Sequence, residues 1–297
     1  MNDTSTEQHE APAIRVRGLV KRFDGVTVLN GINLEVRRGE TMVIMGGSGS
    51  GKSTLLRNII GSLRPEEGSV EIMGRDITRL DETALNEVRK SFGILFQSGA
   101  LFQSMTLREN IALILREHTD LPDETIDIIV KIKLELVGLR EHADKYPAQI
   151  SGGMKKRAGL ARALALDPKI LFYDEPSAGL DPVTSAEIDQ LIISLSKQLG
   201  VTSVVVTHEM DSAFTIADRM TMLDRGRMLV TEARAYFEKL RDSTEPLDET
   251  GALIRQFLTG SARSPLTDRK TDDGGYAEDL LGILPEAGQR PSVQATR

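Results

Sequence analysis

The stretch Thr41-Met42-Val43-Ile44-Met45, followed at once by Gly46-Gly47-Ser48-Gly49-Ser50-Gly51-Lys52-Ser53, limits the possible folds of this 297-residue chain more than any other segment. An apolar run with so few polar breaks suits a strand buried on both faces, as in a parallel sheet. The glycines let the backbone curl so that successive N–H groups point inward as an anion cradle. Ser53-Thr54-Leu55-Leu56-Arg57-Asn58-Ile59-Ile60 then carries helical spacing as far as Gly61. A helix start there adds its partial positive charge to the cradle. Gly46 to Ser53 fits G-x-x-x-x-G-K-[ST], the spacing that holds the β- and γ-phosphates of a nucleotide, with Lys52 reaching the phosphates and the Ser53 hydroxyl ligating Mg2+.

The rest of the chain supplies a frame for such a loop. Apolar runs at 93–96, 170–173 and 204–207 read as further buried strands, and helical spacing at 185–199 separates the last two. Strands alternating with helices indicate a parallel, wound α/β sheet. Residues 14–16 and 32–36 alternate apolar and polar, as half-buried antiparallel strands do. Helices around 107–116, 123–137 and 154–166 make the stretch from about 98 to 165 an inserted helical subdomain. The expected organisation is a disordered leader at 1–12, a nucleotide-binding domain at 13–245, a terminal helix at 246–260 and an extended tail at 261–297. The tail is polar, with an apolar island at Tyr276, Leu280-Leu281 and Ile283-Leu284.

Composition removes several function classes. The net charge of -7, from 37 Lys+Arg against 44 Asp+Glu, argues against a general nucleic-acid binder, which needs a basic face. With no cysteine there is neither a disulfide frame nor a thiolate metal site. The polar, acidic start lacks a signal pattern, and no apolar run approaches the ~18 residues of a membrane span. The chain is expected to be soluble and to meet a membrane only through a partner.

Two more motifs complete the chemistry. Asp174-Glu175 ends the apolar run at 170–173, where Asp174 can orient Mg2+ and Glu175 can polarise an attacking water. Ser151-Gly152-Gly153-Met154 opens a predicted helix, with the serine as N-cap and two glycines that admit a phosphate. Such a start is either a simple capped helix or, in a chain that already has one phosphate loop, an anion site for the nucleotide held by another subunit.

Taken in order, these motifs resemble the nucleotide-binding domain of ATP-binding cassette proteins over residues from about 14 to 240. The resemblance implies a P-loop NTPase fold with a parallel core sheet, an antiparallel β subdomain and the helical insertion, and a homodimer that sandwiches two ATP-Mg2+. It assigns Gly46, Gly47, Ser48, Gly49, Ser50, Gly51, Lys52, Ser53 and Thr54 to ATP. It assigns Gln97 to Mg2+ and to the link with the helical subdomain, Phe23 to stacking on adenine, and His208 to the γ-phosphate and attacking water. Ser151, Gly152, Gly153, Met154 and Asp181 would act across the dimer. Met154 stands where many relatives have glutamine and cannot donate an amide hydrogen bond, whereas Phe23 keeps the stacking of the more usual tyrosine.

A finer similarity, to the ATPases of Mla-type phospholipid transporters, rests on Leu95-Phe96-Gln97-Ser98-Gly99-Ala100-Leu101-Phe102, on residues 115–119, on residues 133–135 with 137–140, on the Ser-Gly-Gly-Met signature and on Tyr276 with Glu278-Asp279-Leu280-Leu281. It implies an integral membrane permease, an MCE-domain lipid-binding ring and an optional small STAS-domain protein as partners, with the ATPase on the cytoplasmic face of the inner membrane. The complex would move phospholipid between inner and outer membranes and maintain outer-membrane lipid asymmetry. Two other readings stay open: the ATPase of another importer or exporter, and a soluble cassette ATPase of DNA repair or the ribosome. The second is disfavoured by the single cassette, the lack of cysteine and the lack of a long heptad run.

Overall fold

The computed structural model describes residues 11–260; the first ten residues of the leader and the whole 261–297 tail, with Tyr276 and Glu278 to Leu281, lie outside the described residues. The chain divides into one unit ending at Ser243 and another beginning at Thr244.

The larger unit opens with two antiparallel strands, β1 (Ile14–Phe23) and β2 (Val26–Val36). They join at Asp24-Gly25, with φ of 47° and 83°, the left-handed pair that Asp-Gly adopts in tight hairpins. β3 (Thr41–Met45) is buried at every position and feeds the glycine loop and α1 (Lys52–Ile59). β4 (Glu67–Ile72), β5 (Arg75–Asp76), α2 (Glu82–Arg89) and β6 (Phe92–Leu95) follow. The helical stretch holds α3 (Leu107–His118), α4 (Asp123–Leu136) and α5 (Gly152–Ala163). Then come β7 (Ile170–Asp174), α6 (Pro182–Leu199), β8 (Thr202–Val206), α7 (Met210–Ile216), β9 (Arg219–Asp224), β10 (Arg227–Ala233) and α8 (Arg234–Asp242). In the second unit, α9 (Glu249–Thr259) begins at Asp248, whose carboxylate accepts from Gly251 N–H at 2.7 Å.

The strands form two sheets. One is antiparallel throughout, in the order β2-β1-β4-β5. The other runs β10-β9-β3-β8-β7-β6, with all neighbours parallel except the edge strand β10. The expected parallel core is therefore present with one antiparallel edge. An apolar core joins the layers: Ile14, Leu34 and Ile72 from the first sheet, Leu55 and Ile59 from α1, and Met42, Phe172 and Val204 from the second. Each large side chain so buried contributes roughly 1.5–3 kcal/mol relative to exposure. This sandwiching of α1 fixes where the glycine loop sits.

In the helical stretch α3, α4 and α5 pack on one another, and α5 also packs on β6. Thr106 and Glu109 form a reciprocal capping box at the start of α3. Asn110 is fully buried; it accepts from Phe102 N–H and donates to the carbonyls of Phe102, Met105 and Thr106. One side chain thus shapes the loop that leads away from Gln97.

Candidate functional site

Strands β3, β8, β7 and β6 are adjacent and parallel, so their carboxyl ends share one edge of the sheet. The glycine loop follows β3, His208 follows β8, Asp174-Glu175 closes β7 and Gln97 follows β6. Four motifs far apart in sequence therefore line the edge where open α/β sheets bind ligands.

The loop is braced from behind. Gly51 has φ 107°, and a Cβ there would stand 2.8 Å from Leu29 Cδ2 and 3.2 Å from the Val28 carbonyl oxygen. Gly226 N–H, from the β9–β10 turn, donates to the Ser50 carbonyl at 3.0 Å. Ser50 Oγ is buried without a hydrogen-bond partner. α1 has neither a side-chain cap nor an acidic residue in its first turn, so its first N–H groups and its dipole remain available to an anion. Lys52 is buried, and its ammonium lies across the loop, donating to the carbonyls of Gly46 at 2.7 Å and Gly47 at 3.0 Å. Burial pulls its pKa below the ordinary lysine range, while the charges of Glu175 and Asp174 oppose the shift. Gly47 and Thr54 are half-buried; Ser48, Gly49 and Ser53 are exposed.

The carboxylates face this loop. Asp174 is half-buried, and its pKa is raised by burial and then by Glu175, against the charges of Arg57, Lys156 and Lys52. Glu175 has φ 49°, a left-handed conformation. Its N–H donates to the Val206 carbonyl at 2.9 Å, and its own carbonyl accepts from Lys156 Nζ at 2.9 Å. Its carboxylate Oε2 lies 2.9 Å from His208 Nδ1 and 3.3 Å from His208 N. Ser53, Gln97 and Asp174 would present oxygen donors only, which fits a hard cation such as Mg2+ that keeps waters and phosphates in its shell.

Ser151 caps α5, its hydroxyl accepting from Met154 N–H at 3.2 Å, and Ser151 and Gly152 are exposed. Gly153 is buried, and a Cβ there would collide with Thr184 Cγ2. Asp181 caps α6 by accepting from Val183 N–H, Thr184 N–H and the Thr184 hydroxyl. Among the described residues, no hydrogen bond joins the side chains of Ser151 or Asp181 to the glycine loop of the same chain. Phe23 is 42% exposed at the tip of the β1–β2 hairpin, with Lys21 Nζ 5.2 Å from its ring centroid. β2 of that hairpin carries Val28 and Leu29 against Gly51, which brings the ring to the same end of the molecule. Gln97 is exposed.

Three cations near the site escaped the motif reading: Arg57, which acts electrostatically on Asp174, Lys156, and Arg162. Arg162 donates to the carbonyls of Ala100 and Gly99 in the loop after Gln97. Lys156 had a legible signal, because its spacing from Gly153 and Gly159-Leu160 sets it on the buried face of α5. Among the described residues, no helix is long and apolar enough to cross a membrane.

Comparison with known proteins accords with this arrangement. Residues 29–178 match the family described as ABC transporter. The chain is 45% identical over 277 residues to the probable ribonucleotide transport ATP-binding protein mkl of Mycobacterium leprae, covering 93% of this chain and 77% of that one. It is 40% identical over 275 residues to the intermembrane phospholipid transport system ATP-binding protein MlaF of Escherichia coli K12, covering 93% and 98%. The dimeric post-hydrolysis structure of the ATP-binding cassette MJ0796 with ADP and phosphate superposes with a TM-score of 0.68 at 32% identity, covering 74% of this chain and 98% of that one. The chain belongs to the ABC transporter family, as an ATP-hydrolysing, nucleotide-binding subunit.

Proposed function

We propose that two copies of this chain close head to tail over two nucleotides and that the closure drives phospholipid movement through a membrane permease. The observation that carries the dimer is the exposed start of α5: Ser151 and Gly152 present a capped, glycine-rich helix end with no hydrogen bond to their own glycine loop. A second copy supplies the missing half. The dimeric cassette with ADP and phosphate at TM-score 0.68 supports this arrangement.

In the closed state the loop N–H groups, the α1 N-terminus and Lys52 hold the phosphates, and Phe23 stacks on adenine. Ser151, Gly152, Gly153 and Met154 reach the γ-phosphate from the partner, Met154 without an amide donor, and Asp181 contacts the opposite subunit. Mg2+, held by Ser53, Gln97 and Asp174, would supply charge neutralisation at the phosphates. Glu175 takes the proton of the water that adds to the γ-phosphorus as the bond to the bridging oxygen breaks. His208 orients that carboxylate and faces the γ-phosphate. Most of the acceleration comes from positioning and charge stabilisation. Release of phosphate removes the anion that joins the halves, and the dimer opens.

The coupling surface is an open groove of about 430 Å³ beside the loop after Gln97, lined in part by Phe92, Ile94, Phe96, Phe102 and Ile114. Phe96 and Phe102 are 41% and 50% exposed, a large apolar surface for a polar loop. It suits an amphipathic helix of a permease laid into the groove. An MCE-domain protein and a small STAS-domain protein complete the proposed complex at the cytoplasmic face of the inner membrane. The match to the MlaF relative over 98% of its length supports phospholipid as the cargo. Affinity purification from detergent-solubilised membranes, with identification of the stoichiometric partners, tests this. A permease with an MCE-domain protein is the expected result; a permease with a soluble solute-binding protein contradicts it.

A further inference from the structure

The helix that begins at Ser151 carries a cation on its buried face. Lys156 is 5% exposed, and an ammonium is unfavourable there unless it is paired. Its Nζ donates to the main-chain carbonyl of Glu175 at 2.9 Å, and the charges of Glu175, Asp174 and Glu209 act on it in opposition to burial. A lysine that only filled space would be replaced without loss by an apolar side chain of the same length. Here the charged end is committed to one carbonyl.

That carbonyl belongs to a residue in an unfavourable conformation. Glu175 is not glycine, yet its φ is 49°, a conformation that persists where surrounding contacts over-determine it. Four contacts do so. Val206 O accepts from Glu175 N–H, His208 holds the carboxylate, and the carbonyl accepts from Lys156 Nζ at 2.9 Å and from Ala178 N–H at 3.3 Å. The first two come from β8 and the residues just after it. Only Lys156 comes from α5, the helix whose exposed start is Ser151.

We propose that Lys156 is a positioning residue for ATP hydrolysis: it anchors the main chain of Glu175 so that the carboxylate stays against His208, and it ties that carboxylate to the helix that begins at Ser151. A shift of α5 when its start meets the partner's nucleotide then moves Glu175 of the same chain. The proposal rests on the reading of Glu175 as the residue that polarises water.

The test uses the full-length protein and Mg-ATP. Lys156→Met removes the donor and the charge, Lys156→Gln shortens the reach, and Lys156→Arg restores both charge and reach. The Met and Gln variants are expected to lose on the order of 100-fold in kcat, with KM for ATP within about twofold of the parent. Amide hydrogen exchange around residues 174–177, measured without nucleotide, is expected to speed up in both and to return toward the parent in Lys156→Arg. If Lys156→Met does not fold, the Gln variant gives the same comparison. Parental kcat and parental exchange in either variant would overturn the proposal, as would a loss confined to KM or an Arg variant as impaired as Met. A Glu175→Gln control that turns over at the parental rate counts against the role of Glu175 instead, and the exchange data then judge the anchor alone.

Discussion

His208 Nδ1 lies 2.9 Å from Glu175 Oε2, and the main-chain N–H of His208 reaches the same oxygen at 3.3 Å. Two contacts from one residue fix a carboxylate at the end of β7, beside the loop that carries Lys52. Glu175→Gln keeps the shape of the side chain but removes its basicity. ATP binding should persist while kcat falls by at least about 100-fold. His208→Ala should lower kcat by a similar order with little change in nucleotide affinity. Steady-state hydrolysis alongside a fluorescent-nucleotide titration separates the two parameters, and parental turnover in Glu175→Gln would remove that residue from the mechanism.

Asp181 caps α6, and substitution can separate that role from the contact proposed for it across the dimer. Its carboxylate accepts three hydrogen bonds at the start of α6, and it is also assigned a contact across the dimer. Asp181→Ala loses the cap and should lower the thermal unfolding midpoint, whereas Asp181→Ser keeps a capping hydroxyl and should restore most of it. Neither should support full ATP-driven dimerisation. A Ser variant that dimerises like the parent would reduce Asp181 to a cap.

Asp189 gives a stability test that is independent of catalysis. It is 5% exposed, and its Oδ1 has no hydrogen-bond partner. Burial raises its pKa above 3.8, and the charge of Glu209 adds to this against a hydrogen bond from Ser212. In the window between 3.8 and the raised folded value the native state holds more protons than the unfolded chain, so stability falls as pH rises through it. Asp189→Asn removes that dependence. The variant should be more stable than the parent near neutral pH, with the advantage vanishing below about pH 4. Urea unfolding midpoints across this range provide the check, and a constant difference between the two proteins would exclude the linkage.

Much of this architecture was legible because it was forced locally. Thr41–Met45 has no polar face and must be buried on both sides, and it runs straight into a loop of glycines and a lysine. α6, expected at 185–199, begins three residues earlier at Pro182, where Asp181 caps it, and stops at Gly200, at φ 63°. The helix expected at 154–166 instead runs from Gly152 to Ala163, because the apolar Leu164-Ala165-Leu166 continues past the true end, where Asp167 turns left-handed at φ 50°. β4 and β10 went unread for a different reason. β4 opens with Glu67-Gly68-Ser69 and exists through pairing with β1, some fifty residues earlier. β10 is half-exposed and pairs as an edge strand with β9. Lys156 sits on a readable face, but its partner is made only by the fold, which brings the end of β7 under α5.

We propose that the tail at 261–297, whose Tyr276 and Glu278-Asp279-Leu280-Leu281 are similar to the ending of Mla-type ATPases, serves assembly and not chemistry. Truncation after Gly260 should therefore weaken dimerisation or recovery of the membrane complex while nucleotide binding stays intact. Parental assembly in the truncated chain, measured by co-purification and by mass in solution, would dismiss that role.

Specific ATPase activity measured against protein concentration, with mass recorded on the same samples, bears most directly on the composite site. If Ser151 to Gly153 of one copy complete the nucleotide site of another, activity per chain should fall on dilution as the dimer dissociates, and nucleotide should shift the mass toward twice that of one chain. Undiminished activity per chain in samples that remain strictly monomeric would contradict it.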